Sequence, residues 1–370
     1  MGTPPPKPNG RAVAWFATQI GDPVLRLRFL KIAAPSPPKR PRRVSRIVVL
    51  ALLALTLAAS FLLIRAAHSE PPPLPAMARP VPRAPAVPSP RPPEVWLVEQ
   101  SGGQESYSNG LRIDTRLTVA NHPRAYLAWP LRPGGHAERR SRPIGILFHA
   151  TESRQAPFEA RENGTLRRIA ESLLEYVQRR RAYHFVIDRF GGVHRIVREE
   201  DAANHAGFSA WADDQWLYLN LNESFLGIAF EAESEASPAQ IRAAGMLIEM
   251  LRSKYGLTAA NCVTHAQVSL SPANMRIGYH VDWAMGFPFE RVGLPNNYAE
   301  PPPAIWALGC AADPAYLAAT ARGALPGVES AERLLEQNAA SARVPVRLYR
   351  QKLQRAYRQK LEESRFSVIR

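Results

Sequence analysis

Hydrophobic positions fall into three regimes along the chain. Residues 47–64 are eighteen consecutive uncharged, mostly apolar positions bounded by Arg46 and Arg65. Between 144 and 265, short apolar runs alternate with longer stretches of helical period. Near the end, Tyr349, Leu353, Tyr357 and Leu361 recur at four-residue spacing within an otherwise basic segment, 346–366. A 3.6-residue period loads one side of a helix, whereas a short unbroken run suits a buried strand.

The middle regime reads as follows. Residues 144–148 form an apolar strand ending at His149. The stretch 165–180 carries Leu166, Ile169, Leu173, Leu174 and Val177 on one stripe, behind Asn163-Gly164, and predicts an amphipathic helix. Two β-branched and aromatic runs, 185–188 and 193–197, flank Gly191-Gly192, which signals a hairpin. Phe225–Phe230 is another strand and ends at Glu231. Ser237-Pro238 opens a helix over 238–255, closed by Gly256, with Ile241, Met246, Ile248 and Leu251 inward. Cys262–Thr264 is the last strand and runs into His265.

Strands alternating with helices predict an α/β fold: a mixed central β-sheet flanked by helices, over about 144–295. Ahead of it, 94–143 reads as a strand-rich extension wrapping that domain, with strands at 95–98, 111–119 and 126–129 between Gly- and Asn-rich turns. Behind it, 296–370 reads as a helical C-terminal extension with a short helix at 330–339. Its basic amphipathic helix is expected to pack on its own domain, with a partner helix or an anionic surface as the alternative.

The N-terminal regime needs its own reading. At about 1.5 Å per residue, 47–64 spans roughly 27 Å, enough for a hydrocarbon core. Lys39, Arg40, Arg42, Arg43 and Arg46 lie just before it, so the positive-inside rule keeps 1–46 cytoplasmic and exports the rest. A cleaved signal peptide fits less well, because the basic lead is long and no small-x-small site follows. The expectation is a single-pass anchor in the inner (cytoplasmic) membrane with a periplasmic, extracytoplasmic domain. Residues 65–93 hold eleven prolines from Pro71 on and form an extended linker with a reach of roughly 70 Å.

Charge changes one inference. The net +15 divides into +9 over 1–46 and +7 over 340–370, leaving −1 for everything between. A near-neutral body argues against a nucleic-acid partner. Cys262 and Cys310 belong to no Cys-x-x-Cys motif, which excludes a cysteine zinc cage. They form either one disulfide or two free buried thiols.

Metal-capable side chains gather at the ends of the buried strands: His149, Glu231, His265 and the Tyr279-His280-Val281-Asp282 cluster. A catalytic zinc needs three protein ligands and one open position. His149 and His265 offer two, and the cluster must offer the third.

Five pieces then occur in order. They are His-Ala-Thr at 149–151, Tyr-His-Phe-Val-Ile-Asp-Arg-Phe-Gly-Gly-Val at 183–193, His-Ala-Gly at 205–207, Leu-Gly-Ile-Ala-Phe-Glu at 226–231 and Val-Thr-His at 263–265. Together they resemble the zinc-dependent N-acetylmuramoyl-L-alanine amidases of type 2, in the phage-lysozyme and peptidoglycan-recognition-protein superfamily. The likeness covers about 144–290.

It implies zinc on His149, His265 and Asp282, with His280 as the rival third ligand. Asp282 falls 17 residues after His265 and is followed by Trp283-Ala284 instead of the family's Pro-Gly. Tyr183 matches the tyrosine that stabilises the transition state, and His280 stands where the family keeps a cationic lysine. Glu231 lies two residues beyond Ala229, the place of a catalytic glutamate in one branch, and would serve as base or orienter. His205 is expected in the substrate groove. His184, next to Tyr183, is expected on the opposite face in a structural role.

The activity implied is cleavage of the amide between N-acetylmuramic acid and L-alanine in peptidoglycan or muropeptides. A non-catalytic recognition module on the same fold, and a metallohydrolase of another amide, are the alternatives.

Overall fold

The computed structural model describes residues 92–132, 134–151, 156–319 and 325–368. The basic segment, the apolar span 47–64 and all but the last two residues of the 65–93 linker lie outside them. Among the described residues no helix is long and apolar enough to cross a membrane.

In chain order the elements are β1 (Leu97–Ser101), β2 (Gln104–Tyr107), β3 (Arg112–Asp114), β4 (Tyr126–Pro130), β5 (Glu138–Arg140), β6 (Gly145–Ala150), α1 (Asn163–Arg180), β7 (Phe185–Ile187), β8 (Val193–Arg195), β9 (Ala210–Ala212) and β10 (Trp216–Leu219). Then follow α2 (Leu221–Ser224), β11 (Phe225–Phe230), α3 (Pro238–Tyr255), β12 (Cys262–Thr264), α4 (His265–Val268), β13 (Leu270–Ser271) and β14 (Arg276–Ile277). The chain closes with α5 (Pro303–Trp306), β15 (Ala311–Ala312), α6 (Pro314–Ala319), α7 (Pro326–Ser341) and α8 (Val346–Val368).

The central sheet has eight strands in the order β1-β2-β3-β8-β7-β11-β6-β12. Its core, β7-β11-β6-β12, is parallel, and the β7–β8 and β1–β2–β3 pairings are antiparallel. β6 and β11 are buried along their whole length, as strands covered on both faces must be. The two neighbours run in register, with Phe148 beside Ile228 and His149 beside Ala229.

Alternation then sorts the side chains. Ile146, Phe148, Ile228 and Phe230 face α3, meeting Ile241, Leu247, Ile248 and Leu251. Leu147, Phe225 and Val263 face the other way, onto Trp211 and Tyr218 of a second, antiparallel sheet ordered β5-β4-β10-β9. His149 shares that second face, at the carboxyl end of β6.

Both helices of the middle region start and stop for legible reasons. Ser237 and Gln240 make a reciprocal capping box at the head of α3, Pro238 occupies its first turn, and Gly256 ends it at φ +68°. The predicted helix stripe holds except at Met246, which is only partly buried; Ala243, Ala244, Leu247 and Met250 share the inward face. α1 begins two residues earlier than expected and ends at Arg180, capped by Arg181, which is left-handed at φ 49°.

The extensions are not appendages. β1 to β3 complete one half of the central sheet, and β4 and β5 build half of the second, so 94–143 is structural sheet instead of a wrapping. The run 111–119 pairs only over Arg112–Asp114, with an isolated bridge from Val119 to Val197. The first run is shifted too, to Leu97–Ser101, and leaves Trp96, Leu97 and Val98 exposed.

The stripe of α8 is used internally: Tyr349 and Leu353 pack on Leu335 and Ala339 of α7, and Tyr357 joins Trp129 and Trp306 in a second cluster. Cys262 and Cys310 are both buried free thiols, each with its pKa pushed up to about 12 by burial.

Candidate metal centre

Three segments distant in sequence bring donors together. His149 closes β6. His265 opens α4 directly after β12, where Thr264 and Gln267 form a capping box that fixes the strand-to-helix step. Asp282 arrives on a loop that needs Gly278, at φ +76°, because any Cβ there would meet the Tyr316 ring at 2.3 Å. Tyr298 pins the same loop, donating from its hydroxyl to the Trp283 carbonyl and accepting from the Phe287 N–H.

His149, His265 and Asp282 are all buried, and one donor atom from each lies within 4.8 Å of the others. Asp282 sits at the centre. Its Oδ1 is 2.8 Å from His265 Nδ1, and its Oδ2 is 3.3 Å from His149 Nδ1. Burial alone would raise the Asp282 carboxyl. The His265 and His149 imidazoles outweigh that and hold it far below the usual carboxylate range. Burial together with the His265 charge pushes His149 down to about 4, so this ring is neutral near pH 7. Two imidazoles and an ionised carboxylate, with His265 Nε2 buried and unpartnered among the described residues, are the donor set that a zinc ion takes. The residues fit.

Tyr183 and His280 flank this group. The Tyr183 ring centroid is 5.0 Å from that of His149, and His280 stacks on His265 at 4.6 Å with an 18° interplanar angle. His280 is exposed and stands outside the converging trio, which leaves Asp282 as the carboxylate partner of both histidines. Partial burial and His265 lower the His280 pKa, so this ring, unlike the lysine the family keeps there, is neutral near pH 7.

Strand alternation fails just where Tyr183 stands. Its φ of 62° breaks the extended backbone ahead of β7, so Tyr183 and His184 do not point to opposite faces. Instead Tyr183 meets His149 while the buried His184 ring lies 5.6 Å from His205. The structural role of His184 stands. Its Nδ1 accepts the Gly227 N–H at 2.9 Å, and its Nε2 abuts Arg124 and the Asp201 carbonyl.

The two remaining candidates, His205 and Glu231, are both buried. His205 has its Nδ1 3.1 Å from His149 Nε2. Burial and the neighbouring His149 hold its pKa well below the ordinary histidine value. Glu231 is buried beside Arg189, accepting that residue's backbone N–H at 3.1 Å with the guanidinium at 3.8 Å, and it makes no bond to the trio. Its pKa is raised by burial, against the pull of Arg189.

Two cavities adjoin the ends of the row Tyr183–His149–His265–His280. One, of about 490 Å³, begins at His280 and is lined by Phe208, Leu270, Pro272 and Tyr279. The other, of about 480 Å³, begins at Tyr183 and Thr151 and is lined by Tyr176, Arg179, Arg180 and Asn204. Phe208, Arg179 and Arg180 carried no signal in the sequence, since single exposed aromatics and helix-end arginines are commonplace.

Comparison with known proteins agrees with the motifs. Residues 139–276 match the family model described as N-acetylmuramoyl-L-alanine amidase. That match ends ahead of His280 and Asp282, whose place here rests on geometry. No curated protein matches the chain. Solved structures do so distantly. The amidase LysC from Clostridium intestinale is 19% identical over 49% of this chain and 93% of its own, with a TM-score of 0.27. The amidase AmiD from E. coli, in complex with anhydro-N-acetylmuramic acid-L-Ala-D-gamma-Glu-L-Lys, is 20% identical over 51% and 64%, with a TM-score of 0.31. AmpDh3 from Pseudomonas aeruginosa is 20% identical over 41% and 59%, at 0.31.

Proposed function

We propose that this chain is a zinc-dependent amidase that hydrolyses the bond between N-acetylmuramic acid and L-alanine in peptidoglycan. The convergence of His149 and His265, inside the amidase-matching part of the chain, with Asp282 just beyond it is the observation that carries this reading. Bound to those three side chains, zinc would supply a Lewis acid for the amide carbonyl and a water acidified towards neutrality.

The remaining work falls to the protein. Asp282 stays ionised and supplies the negative charge of the donor set. Tyr183 and His280, at opposite ends of the row, donate hydrogen bonds to the charge that develops on the carbonyl oxygen. Such a donor is typically worth about 3 kcal/mol. His280, exposed and neutral, also has a ring lone pair that can take the proton given up by the attacking water and then hand it to the leaving amine.

The two cavities suit the two halves of the substrate. Phe208 and Tyr279 offer aromatic faces for a sugar ring, and Arg179 and Arg180 offer charge to the carboxylates of a stem peptide. An anchor at 47–64 and the proline-rich linker would present this site to the wall from the cytoplasmic membrane.

Ala229 beside His149 favours a second reading, a peptidoglycan-recognition module without turnover, because no carboxylate base stands at that position. Digestion of purified sacculi with mass analysis of the products separates the two. Free stem peptides and intact glycan strands support the amidase. Binding without release supports the module, and cleavage at another bond overturns both.

A further inference from the structure

We propose that His205 is a positioning residue that fixes the tautomer and orientation of His149 for metal binding. The inference rests on the zinc reading above, but it concerns how the ligand is held and not whether the amide is cut.

A neutral imidazole carries one N–H and one lone pair. His149 Nδ1 faces Asp282 Oδ2, and His149 Nε2 lies 3.1 Å from His205 Nδ1. With the Nδ1 lone pair given to a metal, the proton sits on Nε2 and is donated to His205 Nδ1. That acceptor role in turn places the His205 proton on its own Nε2, which is buried without a hydrogen-bond partner among the described residues. Metal-ligating histidines are held in this way by a partner on the second nitrogen, usually a carboxylate, carbonyl or water. Here the partner is another buried imidazole.

The surroundings hold His205 to this task. Asn222 Oδ1 accepts the N–H groups of both His205 and Ala206, at 2.8 and 2.6 Å, and so fixes the loop that carries the ring. On β11, Gly227 leaves the space that the ring occupies, since a Cβ there would stand 2.7 Å from it. The His184 ring closes the far side, edge-on. His265 has no equivalent: its Nε2 is unpartnered among the described residues, and its ring is steadied by stacking on His280. One ligand is thus oriented by a hydrogen bond and the other by a ring face.

The test compares zinc affinity, by competition with a chromophoric chelator, in the full-length wild type, His205→Leu and His205→Asn. The amide oxygen of asparagine stands close to the imidazole Nδ1 position. Affinity is expected to fall roughly 10- to 100-fold in His205→Leu and to recover largely in His205→Asn. Gly227→Ala, which displaces the ring without altering it, is expected to weaken zinc as His205→Leu does. Nitrogen-15 spectra of the zinc-loaded wild type, which need no variant and decide the matter if His205→Leu fails to fold, are expected to show His149 protonated at Nε2 and His205 protonated at Nε2 with its Nδ1 accepting; His205 protonated at Nδ1 overturns the inference. Unchanged affinity in folded His205→Leu, equal losses in both His205 variants, or His149 protonated at Nδ1 overturns the inference while leaving the amidase intact. A wild type that binds no zinc removes the metal site itself and this inference with it.

Discussion

His265 Nδ1 and Asp282 Oδ1 are 2.8 Å apart, although a strand pair and a glycine-dependent turn separate them in sequence. An ionised carboxylate is buried only against compensating partners, and this one has two imidazoles. Asp282→Ala is therefore expected to abolish tight zinc binding and stem-peptide release together. Asp282→Asn, which keeps the shape and loses the charge, should retain the fold and lose most of the zinc. Metal analysis after dialysis, beside thermal unfolding, reads both.

Tyr183→Phe keeps the ring against His149 and removes only the hydroxyl. Turnover is expected to fall roughly 100-fold, about 3 kcal/mol, with zinc content unchanged. Steady-state kinetics on a muropeptide check this. A variant with full kcat would return Tyr183 to a packing role.

Arg180 is exposed at the end of α1 and lines the cavity that begins at Tyr183. Arg180→Gln is expected to raise KM about tenfold for stem peptides with free carboxylates and to leave kcat nearly constant. Amidated stem peptides should show little change, since they lack the charge to be read. Parallel kinetics on the two substrates distinguish this from general damage.

Away from the site, Arg195 donates to both Glu105 carboxylate oxygens at 2.8 Å and to Glu199 at 3.1 Å, all buried. Burial pushes Glu105 up, but the bonds from Arg195 and Tyr107 outweigh it and leave its pKa lowered. A depressed carboxylate contributes stability that is complete above its unfolded value, near 4.5, and is lost as pH falls through the folded value. Urea midpoints should thus decline below about pH 4.5, and Glu105→Gln should flatten part of that decline. It should also cost about 3 kcal/mol at pH 7 by leaving Arg195 short of a partner.

Much of this molecule is readable from its residues. Phe225–Phe230, Cys262–Thr264 and α3 stand where their pattern puts them, because each has a strong local cause: an unbroken apolar run, or Ser237-Pro238 at one end and Gly256 at the other. His149 and His265 are legible as strand-end histidines in a recurrent motif. What stayed hidden depends on long-range pairing. Short, polar β2 shows no hydrophobic period and β1 is displaced from its apolar run, since their sheet edge is exposed. His205 could not be placed behind His149 because that contact depends on the space left by Gly227. The two rings at 183 and 184 defeated simple alternation for want of any signal that Tyr183 adopts positive φ.

Zinc-edge X-ray absorption on the whole chain decides whether His149, His265 and Asp282 hold a metal. The expected result is one zinc per chain with two imidazole nitrogens and one carboxylate oxygen at about 2.0–2.2 Å, plus one exchangeable light atom. Loss of one imidazole shell in each of His149→Ala and His265→Ala should accompany it. A chain without stoichiometric zinc, or a metal whose shell is unaltered in those variants, would contradict it.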